Sequence, residues 1–197
     1  MEHSVSYQKL KKHLECYRRL TASQEETLRR LVTVKYCSPK EIYLERGGIA
    51  KHICFIHTGY ALGYEQIDQE QRLSRIWQAD RMILKTESLL AFQRSDMDIV
   101  FPEGGHMIEI PVDHLLQATE LTPFFHYLLV EELKYYRQQE NLFRLKNSLA
   151  LMRWFYQQYA DIRFKLTDLQ IAQFLGISLR WYNHNKNNPK LEWKDSK

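Results

Sequence analysis

Phe164-Lys-Leu-Thr-Asp-Leu-Gln-Ile-Ala-Gln-Phe-Leu-Gly-Ile-Ser178 carries the strongest local instructions in the chain. Thr167-x-x-Gln170 has the form of a capping box, in which each residue satisfies a free amide at a helix start. Ile171 and Leu175 then share one helical face, and Ala172 is small where a partner helix must come close. Gly176 permits the left-handed backbone of a tight turn. Ile177 returns to the interior, and Ser178 can cap a second helix running to about Asn187. Such a pair is either an ordinary helical hairpin or the arrangement that lays its second helix in the DNA major groove. Small residue, turn glycine and caps in one register favour the second reading. Ser178, Arg180, Asn183, His184 and Lys186 are then the candidate DNA contacts, with side chains suited to phosphates or base edges.

From Val112 to this segment the pattern is helical. Phe125, Leu129, Leu133, Tyr136 and Phe143 recur at three-, four- and seven-residue steps among Glu, Gln, Lys and Arg. With no Pro or Gly after Phe124, the stretch predicts one long helix and a second beginning near Ser148. A near-heptad apolar seam on a long helix either joins two copies of the chain or covers a neighbouring sheet. Phe125, Leu129, Leu133 and Tyr136 form the expected homodimer seam.

Between about Val32 and Pro111 the period changes to two. Ile53, Phe55 and His57 alternate with His52, Cys54 and Ile56 up to Thr58-Gly59, and Tyr60, Leu62 and Tyr64 restart a strand. Leu73, Arg75 and Trp77 mark another, while Asp98–Phe101 and His106–Ile110 flank the turn signal Pro102-Glu-Gly-Gly105. Short strands with glycine turns suggest a small antiparallel roll. Ahead of them, Tyr7, Leu10, Leu14 and Tyr17 form one apolar stripe, and Ser23-x-x-Glu26 reads as the capping box of a second helix. The expected fold class is α+β: N-terminal helices, an antiparallel β-roll, a long dimerisation helix and a C-terminal helix-turn-helix.

Composition narrows the function. The 197 residues are 44% hydrophobic and 26% charged, with a net charge of +4. From Asp161 onward seven basic side chains meet four acidic ones, so the terminal segment, including Glu192, Lys194, Asp195 and Lys197, holds most of the excess. A basic end on a near-neutral body suits a polyanionic partner. No apolar run nears the roughly 18 residues needed to cross a bilayer, and the start Met1-Glu2-His3-Ser4 has no signal-peptide pattern. Cys16, Cys37 and Cys54 form no CxxC pair, which suits a reducing compartment, so the cytoplasm is expected. His52 and His57 fall on opposite strand faces and His106 stands alone, with no HxH or HExxH, so no metal is expected. GxSxG, P-loop and GxGxxG motifs are absent too, and Cys54 reads as core; no catalytic residue is expected.

From about Leu20 to Asn188 the chain resembles the catabolite-activator (Crp/Fnr-type) superfamily of transcription regulators with a cyclic-nucleotide-binding-like domain, in diverged form. Three places carry the resemblance: Cys54-Phe-Ile-His-Thr-Gly59, Leu84 to Val100, and Leu166 to Ser178. It implies a β-roll with its N-terminal helices over 1–122, a linking and dimerising helix over 123–147, and a DNA-binding domain over 148–197. It also implies a homodimer in which an effector in the roll reorients the DNA-binding helices. Aligning Ser88-Leu89-Leu90 with the family's cassette puts Lys85 and Thr86 where a Gly-Glu pair is expected, while Arg94-Ser95 stands where the phosphate-binding arginine would be. The candidate effector residues are therefore Lys85, Thr86, Arg94 and Ser95, with Arg94 either an anion ligand or a surface arginine. Cyclic AMP is not the expected effector; another small anionic or nucleotide effector, or none, stays open. In the second helix Trp181, Tyr182 and Asn185 depart from the family pattern, and the nine residues after Asn188 are too few for a β-wing. Two functions follow: a regulator that binds double-stranded DNA, or a ligand-binding or interaction module whose helix-turn-helix no longer does.

Overall fold

A computed structural model of the chain describes residues 2–144 and 147–191. Helices α1 (Glu2–Glu15) and α2 (Ala22–Leu31) precede strands β1 (Thr33–Cys37), β2 (Glu41–Leu44), β3 (His52–Ile67), β4 (Glu70–Gln78) and β5 (Met82–Ile83). Helix α3 (Thr86–Ala91) leads to β6 (Met97–Phe101) and β7 (Gly105–Pro111). Helices α4 (Val112–Gln117), α5 (Thr122–Arg144), α6 (Ser148–Gln158), α7 (Asp168–Leu175) and α8 (Leu179–Asn185) complete the chain, with short 3₁₀ turns at Thr119–Leu121 and Pro189–Leu191. Glu192, Lys194, Asp195 and Lys197 of the basic end lie outside the described residues, as do positions 145 and 146 of the expected linker.

The strand order is β1-β7-β3-β6-β2, with β4 and β5 also paired to β3, and every pairing is antiparallel. The sequence predicts two strands either side of Thr58-Gly59; the structure has one long strand that changes partners there. Residues 52–59 pair with β7 and β5, whereas residues 60–67 pair with β4 and β6. The backbone bends at Gly59 with φ +86°, and a Cβ there would lie 2.4 Å from the Gly104 carbonyl oxygen. Only glycine allows the two halves of the roll to close at this corner.

Three apolar clusters use this strand. Ile53 and Phe55 point outward with Ile108 and Ile110, under α1, α2, α4 and the start of α5. Cys54, Ile56 and Ala61 point inward and, with Trp77, Met97, Ile99, Phe101 and Met107, fill the roll. Tyr60 and Leu62 join Leu73 and Ile76 of β4 beneath α6, α7 and α8. The capping box of α2 is Thr21–Gln24, two residues before the predicted Ser23–Glu26: the Gln24 amide nitrogen donates to Thr21 Oγ1 at 3.2 Å and Gln24 Oε1 accepts from the Thr21 amide at 3.0 Å. Gln24 wins because its Nε2 also donates to the Glu120 carbonyl at 2.8 Å, tying α2 to the turn before α5. The α1 stripe runs through Tyr7, Leu10 and Leu14, while Tyr17 lies past the helix end and stacks on Tyr127 at 5.0 Å.

Replacing Gly59 with Ala forces a side chain against fixed backbone at positive φ. The expected cost is roughly 1–3 kcal/mol, a large share of the roughly 5–15 kcal/mol that holds a domain folded. Urea unfolding checks it: the midpoint falls while the slope stays the same.

Candidate functional site

The segment expected to hold an effector is brought together, and the Lys85, Arg94 and Ser95 side chains each bond within the protein. Lys85, before α3, is buried and donates from Nζ to Asp96 Oδ1 at 2.6 Å. Thr86 opens the helix. Arg94 is exposed and donates from Nη1 to the Gly47 carbonyl at 2.8 Å. Ser95 is buried; its hydroxyl donates to the Met97 carbonyl at 2.7 Å, and its backbone exchanges hydrogen bonds with Gly47 and Gly48.

Inside the roll, space is taken by Trp77, Phe101, Met97 and Met107, with Tyr43 packed at the edge. Tyr43 Oη donates to Glu109 at 2.8 Å and lies 2.9 Å from Cys54 Sγ. Burial is the main cause that pushes both inward-facing thiols up, Cys37 to about 12 and Cys54 further. Gly63 makes room for this filling: a Cβ there would lie 2.9 Å from Met97 Sδ and 3.0 Å from the Trp77 ring.

Sequence reasoning passed over the charged pair beside this core. Arg75, on β4, is buried and meets Glu132 of α5, Nη2 to Oε1, at 2.6 Å. Its guanidinium lies 4.9 Å from the Trp77 ring centroid, 4.6 Å from Tyr135 and 4.5 Å from Tyr136. Burial pushes the Glu132 carboxyl above the usual carboxylate range, opposed by the neighbouring guanidinium. The signal was present: Glu132 follows Phe125 by seven positions and Leu128 by four, a charged residue on the buried stripe of an amphipathic helix.

The seam residues of α5 divide. Phe125 is buried in the core and Leu129 packs against it, Leu133 (65% exposed) faces outward with Phe143, and Tyr136 is part-exposed with its ring turned to Arg75. In the C-terminal segment, α7 has the capping box expected at Thr167–Gln170. Gly176 turns the chain at φ +64°, and its amide donates to the Gln173 carbonyl at 3.0 Å. Ser178 caps α8 by accepting from the Trp181 amide at 3.2 Å. Arg180, Asn183 and His184 are exposed on α8, and Tyr182 is buried with its hydroxyl 3.3 Å from that of Tyr156. Lys186, just past the helix, is half-buried and bonded to Asp168 at 2.5 Å. The turn is held to the roll through α7: Gln170 Nε2 donates to the Tyr64 hydroxyl at 2.7 Å.

Among the described residues there is no group of three or more His, Cys, Asp or Glu side chains placed to hold a metal, and no helix long and apolar enough to cross a membrane.

No family model and no curated protein matches the chain. Solved structures do. A protein of the Crp/Fnr family of transcriptional regulators from Eubacterium rectale superposes with TM-score 0.65 at 12% identity, over 88% of this chain and 85% of that one. The likeness is one of fold. The c-di-GMP-responsive global regulator CLP of Xanthomonas campestris gives 0.63 at 10% identity, over 83% and 89% of the two chains. The regulatory domain of Toxoplasma gondii protein kinase A, solved with cAMP, gives 0.50 at 13% identity over 56% of this chain; the chain spans only 43% of that domain's length. This chain therefore has a cyclic-nucleotide-binding-like roll followed by a long helix, the fold of diverged Crp/Fnr-like proteins.

A filled roll with raised thiols predicts a simple reactivity pattern. In native protein at pH 8, a disulfide reagent modifies exposed Cys16 rapidly and leaves Cys37 and Cys54 protected. All three react after unfolding in guanidinium. Fast modification of a second thiol in the native state would show that the interior is open.

Proposed function

We propose that the protein is a homodimeric, cytoplasmic transcription regulator that binds double-stranded DNA through α8 and does not respond to cyclic AMP. One observation carries the reading: α8 follows a glycine turn, is capped by Ser178, and leaves Arg180, Asn183 and His184 exposed while Tyr182 anchors it. A short helix that is anchored on one face and polar on the other can enter a major groove. Arginine is suited to guanine edges and phosphates, and asparagine to adenine. The outward Leu133 and Phe143 of α5, with part-exposed Tyr136 between them, supply a stripe at three- and seven-residue spacing for a two-fold partner. Against cyclic AMP stand Lys85 and Ser95, already bonded within the protein, and a roll interior occupied by Trp77 and Phe101.

A second reading has one observation in its favour. Lys186 is neutralised by Asp168 rather than offered to a phosphate, which suits an interaction module that has given up DNA.

Fluorescence anisotropy with a random duplex separates the two. A DNA-binding protein loses affinity linearly in log salt, with a slope set by the phosphates it contacts. Arg180→Ala weakens binding about tenfold, and saturating cyclic AMP leaves the wild-type affinity unchanged. No binding even at low salt would leave the interaction module standing.

The dimer is tested apart from DNA. Leu133→Asp places a charge in the α5 stripe and should convert the sedimenting species from two chains to one at micromolar concentration, with circular dichroism unchanged. A wild type that sediments as a single chain at every concentration would remove the seam.

A further inference from the structure

Arg75 stands on β4, the strand that faces two ways. Its partner across the ladder is Gly63, and the next pair is Tyr64 with Leu73, so Ser74 is an extra residue in the register. This bulge lets Leu73 and Ile76 lie on the outer face, in the core shared with α6, α7 and α8. Arg75 and Trp77 lie on the inner face toward the roll and α5. Gln173 of α7 reaches the same strand, accepting from the Leu73 amide at 3.5 Å. One short strand thus touches the long helix through Arg75 and the α7–α8 pair through its opposite face.

The Arg75 guanidinium is buried. Its Nε and Nη1, and Glu132 Oε1, have no hydrogen-bond partner of good geometry and face no solvent, while three aromatic rings lie within 5 Å of its centre. Positive charge is welcome at ring faces, and the Glu132 carboxylate meets the remaining nitrogen. A cavity of about 180 Å³ adjoins the pair between β4, α5 and α6, with Arg75, Glu132 and Tyr135 on its wall.

We infer that the Arg75–Glu132 pair is a built-in tie, fixing α5 to the roll and, through β4, fixing where α7 and α8 sit. Its regulatory meaning rests on the DNA-binding reading above; its mechanical content does not. Removing one member of an enclosed pair leaves the other charge or dipole stranded, so the tie opens as a unit.

Hydrogen exchange read by mass spectrometry on the full chain tests it. In Glu132→Gln, amides of residues 128–138 and of residues 168–185 should exchange about tenfold faster than in the wild type, a local opening, while β7 keeps its protection. Should that variant fail to fold, Arg75→Lys replaces it, since it keeps the charge but cannot lie flat among the rings; the same two segments should loosen. Faster exchange at 128–138 with 168–185 unchanged overturns the coupling, and uniform acceleration that includes β7 overturns the tie as a distinct device. The readout involves no DNA, so a protein that binds no duplex would fail the earlier reading and leave this one to its own result.

Discussion

Strand β3 is buried on both faces along its first half, and the rest of the molecule is arranged by the need to cover it. Ile53, Cys54, Phe55 and Ile56 are all fully enclosed, so one face requires a layer of helices and the other a closed roll. Each of the isoleucine and phenylalanine side chains stabilises by roughly 1.5–3 kcal/mol when removed from water, but only if both layers form together. The bend at Gly59 decides where the layers part. Before it the strand serves α1 and the head of α5; after it, the strand turns its outer face to α6, α7 and α8. The C-terminal helices are consequently placed by the same strand that forms the roll.

This explains which parts of the fold were legible in sequence. Helices with one wet face announce themselves: the stripe of α1, the break between α5 and α6, and the Thr167–Gln170 and Ser178 caps appear where periodicity and capping chemistry put them. The strands were legible as a group, not in their joins. A strand buried on both faces shows no alternation of apolar and polar residues, so Thr58-Gly59 read as an end although the hydrogen bonding continues through it with new partners. The misplaced cap of α2 has a different source. Thr21-x-x-Gln24 and Ser23-x-x-Glu26 have the same local form, and the choice is made by Glu120, ninety-six residues from Gln24. Information of that kind is not in a local window.

The site was legible in the same uneven way. Position alone brought Lys85, Thr86, Arg94 and Ser95 to one segment, but only the folded chain bonds Lys85 to Asp96 and Arg94 to Gly47. Arg75 was visible as a member of an alternating strand and Glu132 as a member of a helical stripe, 57 positions apart; neither signals the other. Their pairing also runs against expectation from cost. Desolvating two charges takes several kcal/mol per ion, and a single ion-pair contact does not repay it. The three rings change the balance, since a desolvated cation over an aromatic face gains about 2 kcal/mol. Gly63 completes the arrangement by leaving the space that Trp77 and Met97 fill.

The two faces of β4 then limit how the C-terminal helices can behave. A helix pair carried on a flexible tether could present α8 in any orientation, whereas here the outer residues Leu73 and Ile76 share a core with Ile171, Phe174 and Leu175. The α7 amides Gln170 and Gln173 add polar contacts to the same hairpin. Buried apolar contact is not directional, but hydrogen bonds to Tyr64 and Leu73 are, and together they fix both the depth and the rotation of α7. Because the α7–α8 turn is held by Gly176 and the Ser178 cap, fixing α7 also fixes the exposed Arg180, Asn183 and His184 relative to the roll. Reorienting that surface requires β4 to shift, and β4 cannot shift while Arg75 remains caged against α5. The polar face of α8 and the enclosed ion pair are thus parts of one mechanical unit, joined by a nine-residue strand.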